Sequence, residues 1–278
     1  MFTPKQPHEI LAMRKAGLVT GQILAALRDY AEPGRTPKEL DALAARMLAE
    51  AGAVSSFKGY GSTLNLPPYP AVTCISVNDV VVHGIPHSKP LEEGDLVSID
   101  FGAVLDGWNG DSAITFSVGN PEPEREALSQ ATEKAMWDGI AAAAVGKRLG
   151  DVGHAIQSSI KRSDRRYSIV RDFTGHGIGH EMHEDPDVPN YGRPGKGIRI
   201  VDGLTIAIEP IITLGSSWLI EDPDEWTMRT KRGGPAAHWE HTIAITKQGL
   251  WVLTALDGGK EELGKRGILV NDLAERLE

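Results

Sequence analysis

Cysteine is nearly missing: Cys74 is the only one in 278 residues. That excludes an internal disulfide framework and any zinc site built from cysteines. Basic residues are short as well, 29 Lys and Arg against 38 Asp and Glu, for a formal charge of −9. A chain that holds nucleic acid by neutralising phosphates usually runs the other way, so no specific nucleic-acid role is expected. No apolar run approaches the roughly 20 residues that span a bilayer. The opening MFTPKQPHEILAMRK also lacks the apolar core of a secretion signal. A cytoplasmic, reducing compartment without membrane attachment is therefore expected. Low-complexity stretches and Pro/Ser-rich linkers are lacking too, and 41% hydrophobic with 24% charged residues suits a packed core. One domain over residues 1–278 follows, with a short N-terminal segment 1–8 and a charged C-terminal segment from about residue 258. Nine histidines remain as candidate nitrogen ligands.

What is present reads as alternating helices and strands. Apolar residues recur at helical spacing from His8 to Tyr30. Thr36, Pro37 and Glu39 form a helix start with a capping box, and that helix runs to about Ala51 before Gly52. A Gly- and Pro-rich loop, GYGSTLNLPPYP, leads into a strand-like stretch, AVTCISVNDVVVHG. LVSIDFGAVLDGWNGDSAITFSVG reads as a β-hairpin turning at Asp106–Gly107. Helices are expected from Pro123 to about Ala144 and again to about Ser163. A glycine-rich loop, FTGHGIGHEMHEDP, then precedes two strands, GLTIAIEPII and HWEHTIAIT, and a terminal helix from Lys260. EPGRTPKELDALAARM and AVGKRLGDVGHAIQSS faintly echo one another, which suggests two related α/β halves around one shared sheet.

The hairpin carries the first chemical signal. A two-residue turn pairs Leu105 with Trp108 and sets Asp100 opposite Ala113. Asp111 then falls on the same face, one diagonal step away, roughly 6–8 Å between Cβ atoms. Two acids so placed repel unless a cation neutralises them. A solvated hairpin face is the plain alternative, but Ile99 and Phe101 bracket Asp100 within an apolar run, and a buried aspartate needs a partner. Glu209 closes LTIAIEP and Glu240 sits in HWEHTIAI, again among apolar or aromatic neighbours. The nearest basic residues, Arg229 to Arg232, fall in an expected loop. GHGIGHEMH supplies His176, His180 and His183; it is one residue short of H-E-x-x-H and does not fit G-x-G-x-x-G. His180 reads as simply exposed. Four carboxylates with one imidazole suit a pair of divalent first-row metals rather than a structural zinc. Such a pair can hold a bridging hydroxide and polarise a carbonyl. Histidines outside the ligand set could orient substrate or move protons. The residues alone thus reach a dinuclear metallohydrolase with no substrate named.

SVNDVVVHGIP (76–86), IDFGAVLDGWNGD (99–111), TGHGIGHEMHEDPDVPNY (174–191), TIAIEPII (205–212) and WEHTIAIT (239–246) resemble the type I methionine aminopeptidases in order and spacing. The resemblance covers the chain from about Glu9 to Leu253. It implies the α/β pita-bread fold, two pseudo-symmetric halves around a curved, mainly antiparallel sheet. By resemblance, Asp100, Asp111, His176, Glu209 and Glu240 are metal ligands for two divalent ions, whether Co, Mn, Fe or Zn. His83 and His183 match residues that contact substrate, and Glu209 matches one that helps move the proton as hydroxide attacks. Tyr69, Cys74 and Trp226 match the methionine pocket. Leu66 and Met182 depart from the tyrosine and phenylalanine of many bacterial members, and LNLPPYP departs from the usual GYxGYP pattern. A monovalent cation near the carbonyls of Asn78, Val80 and Ala236 is a further family feature. The implied activity is removal of initiator methionine from nascent chains with a small second residue, by a monomer, with transient ribosome contact left open. A compact proline-directed peptidase, like prolidase or aminopeptidase P, is the alternative within the same signature.

Overall fold

The computed structural model describes residues 2–62, 66–163 and 166–274. The first half runs α1 (Pro7–Tyr30), α2 (Pro37–Glu50), β1 (Val54–Ser55), β2 (Cys74–Val77), β3 (Val80–Val82), β4 (Leu96–Leu105) and β5 (Trp108–Ser117). The second continues α3 (Pro123–Ala142), α4 (Leu149–Lys161), β6 (Tyr167–Ile169), β7 (Gly175–Gly177), β8 (Glu184–Val188), β9 (Leu204–Ile208) and β10 (Ile211–Leu214). It closes with β11 (Leu219–Glu221), β12 (Met228–Thr230), β13 (Ala236–His238), β14 (Glu240–Thr246), β15 (Gly249–Val252) and the short α5 (Lys260–Lys265).

A curled, nine-stranded sheet in the order β1-β4-β5-β14-β9-β7-β8, with β2 on β4 and β15 on β14, forms the frame. Every pairing between these strands is antiparallel. Two small sheets, β13-β10-β6 and β11-β12-β3, stand beside it. One core joins α1 and α2 to β2, β4 and β5 through Leu24, Leu27, Leu40, Ile99 and Phe101. Another joins α3 and α4 to β9 and β14 through Met136, Ile140, Ile156, Ile206 and Ile243. The two α/β halves anticipated from the sequence echo are these two cores on one sheet.

Local chemistry explains the helix starts. Thr36 accepts from the Glu39 N–H while the Glu39 carboxylate accepts from the Thr36 N–H, and Pro37 occupies the first helical position. Against the sequence reading, α1 is long and apolar enough, by length and composition, to cross a bilayer. Its Met13, Ala16, Thr20, Leu24 and Leu27 are instead buried, and the helix lies on β4 and β5.

Four sequence readings change, three of them because the chain moves between sheets. AVTCISVNDVVVHG splits into β2 and β3, since Asn78 takes a left-handed φ of 57° and turns the chain out of the main sheet. GLTIAIEPII splits at Glu209–Pro210, where proline has no N–H to continue the ladder. HWEHTIAIT splits at Trp239, so that His238 ends β13 and Glu240 begins β14. Part of the glycine-rich loop is a strand, β7, between β8 and β9. The terminal helix is only α5, and residues 275–278 of that segment, like 63–65 of the GYGSTLNLPPYP loop, lie outside the described residues.

The helix–sheet contact is close next to the acids. A Cβ on Gly110 would stand 2.7 Å from the Gly17 backbone, and one on Gly17 would stand 2.3 Å from the Leu253 carbonyl oxygen. Backbone cannot yield as a flexible side chain can. Gly110→Ala is therefore expected to lower the urea-unfolding stability by about 1–3 kcal/mol, the usual cost of overpacking. An unchanged midpoint would show that α1 does not sit hard against β5.

Candidate metal centre

The DG turn at Asp106–Gly107 places Leu105 opposite Trp108 and Asp100 opposite Ala113, the register expected from the sequence. Asp111 pairs with Gly102, two residues along and on the same face as Asp100. Its backbone is held by Thr242, whose hydroxyl accepts from the Asp111 N–H and donates to its carbonyl. Glu240 pairs with Ala113 across β14 and β5, and the Ser112 hydroxyl donates to the Glu240 carbonyl. Glu209 occupies the joint between β9 and β10, with its carbonyl accepting from Asn190.

His176 lies at the centre of β7, flanked by glycines for a steric reason. A Cβ at Gly175 would meet the Ala207 carbonyl oxygen at 2.4 Å, and one at Gly177 the Asp185 carbonyl oxygen at 2.1 Å. The imidazole Nδ1 is 2.9 Å from the Gly177 carbonyl, so the proton is assigned to Nδ1 and the Nε2 lone pair faces inward. That Nε2 is 3.9 Å from Asp111 Oδ2, 3.8 Å from Glu209 Oε1 and 3.8 Å from Glu240 Oε1. Asp111, His176 and Glu240 can present one ligand atom each within 4.8 Å of one another. Asp100 Oδ1, Asp111 Oδ1 and Glu240 Oε1 are buried with no hydrogen-bond partner among the described residues. Buried, unpaired carboxylate oxygens around one imidazole fit divalent cations as the missing partner.

The electrostatics point the same way. Burial, with Glu209 nearby, pushes Asp111 up to about 7, and burial pushes Glu209 up to about 8. Burial and then neighbouring carboxylates drive Asp100 and Glu240 well above the ordinary range. Burial lowers His176 to about 3, with His183 adding to it. Among the described residues, these carboxylates meet only imidazoles as basic partners. Arg229, in β12 rather than a loop, is taken by Asp79 and Asp222.

A cavity of about 320 Å³ opens on the acids, and the ten residues that the resemblance gave ligand, substrate-contact or methionine-pocket roles all line it. Tyr69 and Trp226 meet edge to face at 5.3 Å, beside buried Phe57, Cys74 and Met182. Trp226 Nε1 donates to the Pro67 carbonyl, and the Tyr69 hydroxyl lies within reach of the Thr73 and Gly84 carbonyls. His83 follows β3 in a left-handed conformation, φ 58°, the kind of backbone strain that clusters at working sites. Burial and then the neighbouring His238 and His183 lower it to about 4. The His183 ring is 4.3 Å from that of His176. Leu66 also lines the cavity; His180 is exposed and stacks on Trp108. Asn78 and Ala236 are adjacent, the Asn78 carbonyl accepting from the Ala236 N–H.

Sequence reasoning missed Tyr60, Phe57, Phe173 and His238. Tyr60 reaches in to place its hydroxyl 2.8 Å from His183 Nδ1, a contact between residues 123 apart that no local pattern signals. His238 had a signal, since it stands two residues before Glu240.

Residues 11–247 match the model of metallopeptidase family M24. The chain is 48% identical over 251 residues to methionine aminopeptidase 1 of Mycobacterium tuberculosis (strain CDC 1551 / Oshkosh), covering 88% of this chain and 92% of that one. It is 42% identical to methionine aminopeptidase 1 of Bacillus subtilis (strain 168), over 91% and 99% of the two chains. The crystal structure of methionine aminopeptidase from Thermotoga maritima superposes with a TM-score of 0.86 at 40% identity, over 91% of this chain and 99% of that one. The prolidase of Pyrococcus furiosus shares the fold alone, at 24% identity, a TM-score of 0.69 and 65% of its own length. The α/β architecture is thus the pita-bread fold.

The raised carboxylates fix the sign of a pH effect in metal-stripped protein. Their folded pKa values exceed the unfolded ones, so the folded state binds more protons and stability falls as pH rises through about 7 to 8. The buried histidines are lowered and act oppositely, but only below an unfolded value near 6.5. Between pH 6.5 and 8 the carboxylates are alone, and chelator-treated protein is expected to lose on the order of 2 kcal/mol or more. Added Mn²⁺ should raise the melting temperature more at pH 8 than at pH 6.5. An equal gain at both would contradict this electrostatic picture.

Proposed function

The chain belongs to metallopeptidase family M24, and on that premise we propose that it is a methionine aminopeptidase removing initiator methionine from nascent proteins with a small second residue. One observation carries the reading: an apolar slot of Phe57, Tyr69, Cys74, Met182 and Trp226 opens directly onto the buried carboxylate cluster. A slot of flexible and aromatic side chains suits the unbranched thioether of methionine. It brings the following peptide bond to the acids. The alternative, a proline-directed peptidase, rests on relatives that share the fold alone.

Asp100, Asp111, His176, Glu209 and Glu240 would hold two divalent cations, for which Co, Mn, Fe and Zn are all suitable. Bound there, such ions supply Lewis-acid polarisation of a carbonyl and a water nucleophile active at neutral pH. Glu209 lines the cavity beside the other acids, where its carboxylate is placed to take and return a proton. His83 and His183 flank the same cavity and, kept neutral by desolvation, can donate hydrogen bonds to the substrate amide and carbonyl. Glycine-bounded β7 and the strained His83 hold these groups before substrate arrives. Residues 1–278 act as one catalytic unit in this reading, working as a monomer in the cytoplasm on free N-termini.

Met-Ala-Ser should be hydrolysed by metal-reconstituted protein and an X-Pro dipeptide should not; preference for X-Pro would overturn the choice. Asp111→Asn and His83→Ala are each expected to cut kcat/KM by about a hundredfold or more. Untouched activity in both would sink the site assignment.

A further inference from the structure

His238 has no part in the ligand set above, yet it is 2% exposed and its Nε2 has no hydrogen-bond partner among the described residues. Its backbone is gripped from both sides. The Thr115 hydroxyl donates to the His238 carbonyl at 2.6 Å and accepts from its N–H at 2.9 Å, and the Ser98 hydroxyl is 2.8 Å from the same oxygen of Thr115. This clasp continues the pairing of β5 past Glu240 and aims the imidazole at the acids. Nε2 lies 3.5 Å from Glu209 Oε2 and 4.0 Å from Glu240 Oε2. The other oxygen of Glu209, Oε1, faces Nε2 of His176 at 3.8 Å. The two oxygens of Glu209 are therefore divided between two imidazoles.

We propose that His238 is a positioning residue whose Nε2–H donates to Oε2 of Glu209 and so turns Oε1 toward the metal centre. The 3.5 Å contact is at the long limit of hydrogen bonding, and such contacts tighten in the working complex. A donor to the outer oxygen leaves the inner oxygen one orientation, where an unheld carboxylate at the β9–β10 joint could rotate. Groups that orient ligating side chains typically change metal affinity or activity by 10–100-fold when removed. The inference rests on the peptidase reading above, and its test separates the two.

The experiment compares wild type, His238→Leu and His238→Gln by Mn²⁺ titration calorimetry, Met-Ala-Ser kinetics and the visible absorption of the Co²⁺-loaded proteins. Leucine removes the donor. Glutamine carries an amide N–H to about the same reach. His238→Leu is expected to weaken Mn²⁺ binding and lower kcat, each by about 10–100-fold, with KM nearly unchanged. His238→Gln should recover both to within a few-fold and keep the wild-type Co²⁺ spectrum. Wild-type behaviour of His238→Leu would overturn the proposal. So would a changed Co²⁺ spectrum in His238→Gln, because His238 would then be a ligand itself. If the leucine variant fails to fold, the glutamine variant decides through its spectrum and Mn²⁺ affinity. Should wild type bind Mn²⁺ but leave Met-Ala-Ser intact, the peptidase reading fails while the affinity comparison still judges His238.

Discussion

Four carboxylates share one buried cavity, and no arginine or lysine among the described residues stands beside them. Desolvation and mutual repulsion both oppose ionisation there, as the raised values of Asp111 and Glu209 record. Such a cluster persists only because the backbone that carries it is over-determined. β4 and β5 pair over ten residues each, Thr242 clasps Asp111, and Ser112 clasps Glu240. Basic side chains that the sequence places near the acids or the core are committed elsewhere: Arg229 to Asp79 and Asp222, Arg14 to the carbonyls of Leu253 and Ala255. The charge left over is what divalent cations would satisfy.

The frame around the cluster follows from where the chain leaves the main sheet. Glu209 and Glu240 each stand at a step between that sheet and the small sheet of β13, β10 and β6. A residue at such a step is released from the strict alternation of a continuous strand, so its side chain can turn toward a shared centre. His83 stands at a comparable step after β3, with its strained φ. The acids, His83 and the apolar slot thus meet where several strands end, while α1 to α4 pack against the sheet.

Much of the centre was legible in the sequence because its signals are local. Asp100 and Asp111 lie on one hairpin whose register a two-residue turn sets, and their apolar surroundings marked them as unusual. Glu209 and Glu240 stood out because glutamate is rare inside apolar strands. The fold was less legible at the same places. Alternation and apolarity read GLTIAIEPII and HWEHTIAIT as continuous strands; Pro210 marks a break in the first, but neither segment shows into which sheet each of its ends pairs. β7 was hidden for a related reason. A three-residue Gly-His-Gly segment has no strand propensity of its own and becomes one only between β8 and β9.

The sequence by itself determined the hairpin register, the helix starts and the kinds of ligand available, since each depends on residues within a turn or two of one another. Only the tertiary structure decided which oxygen of Glu209 faces His176 and which faces His238, and that Tyr60 reaches His183. It alone decided that residues as distant as Phe57 and Trp226 wall one slot. Those relations are set by packing between segments far apart in the chain, and no local pattern carries the distance between them.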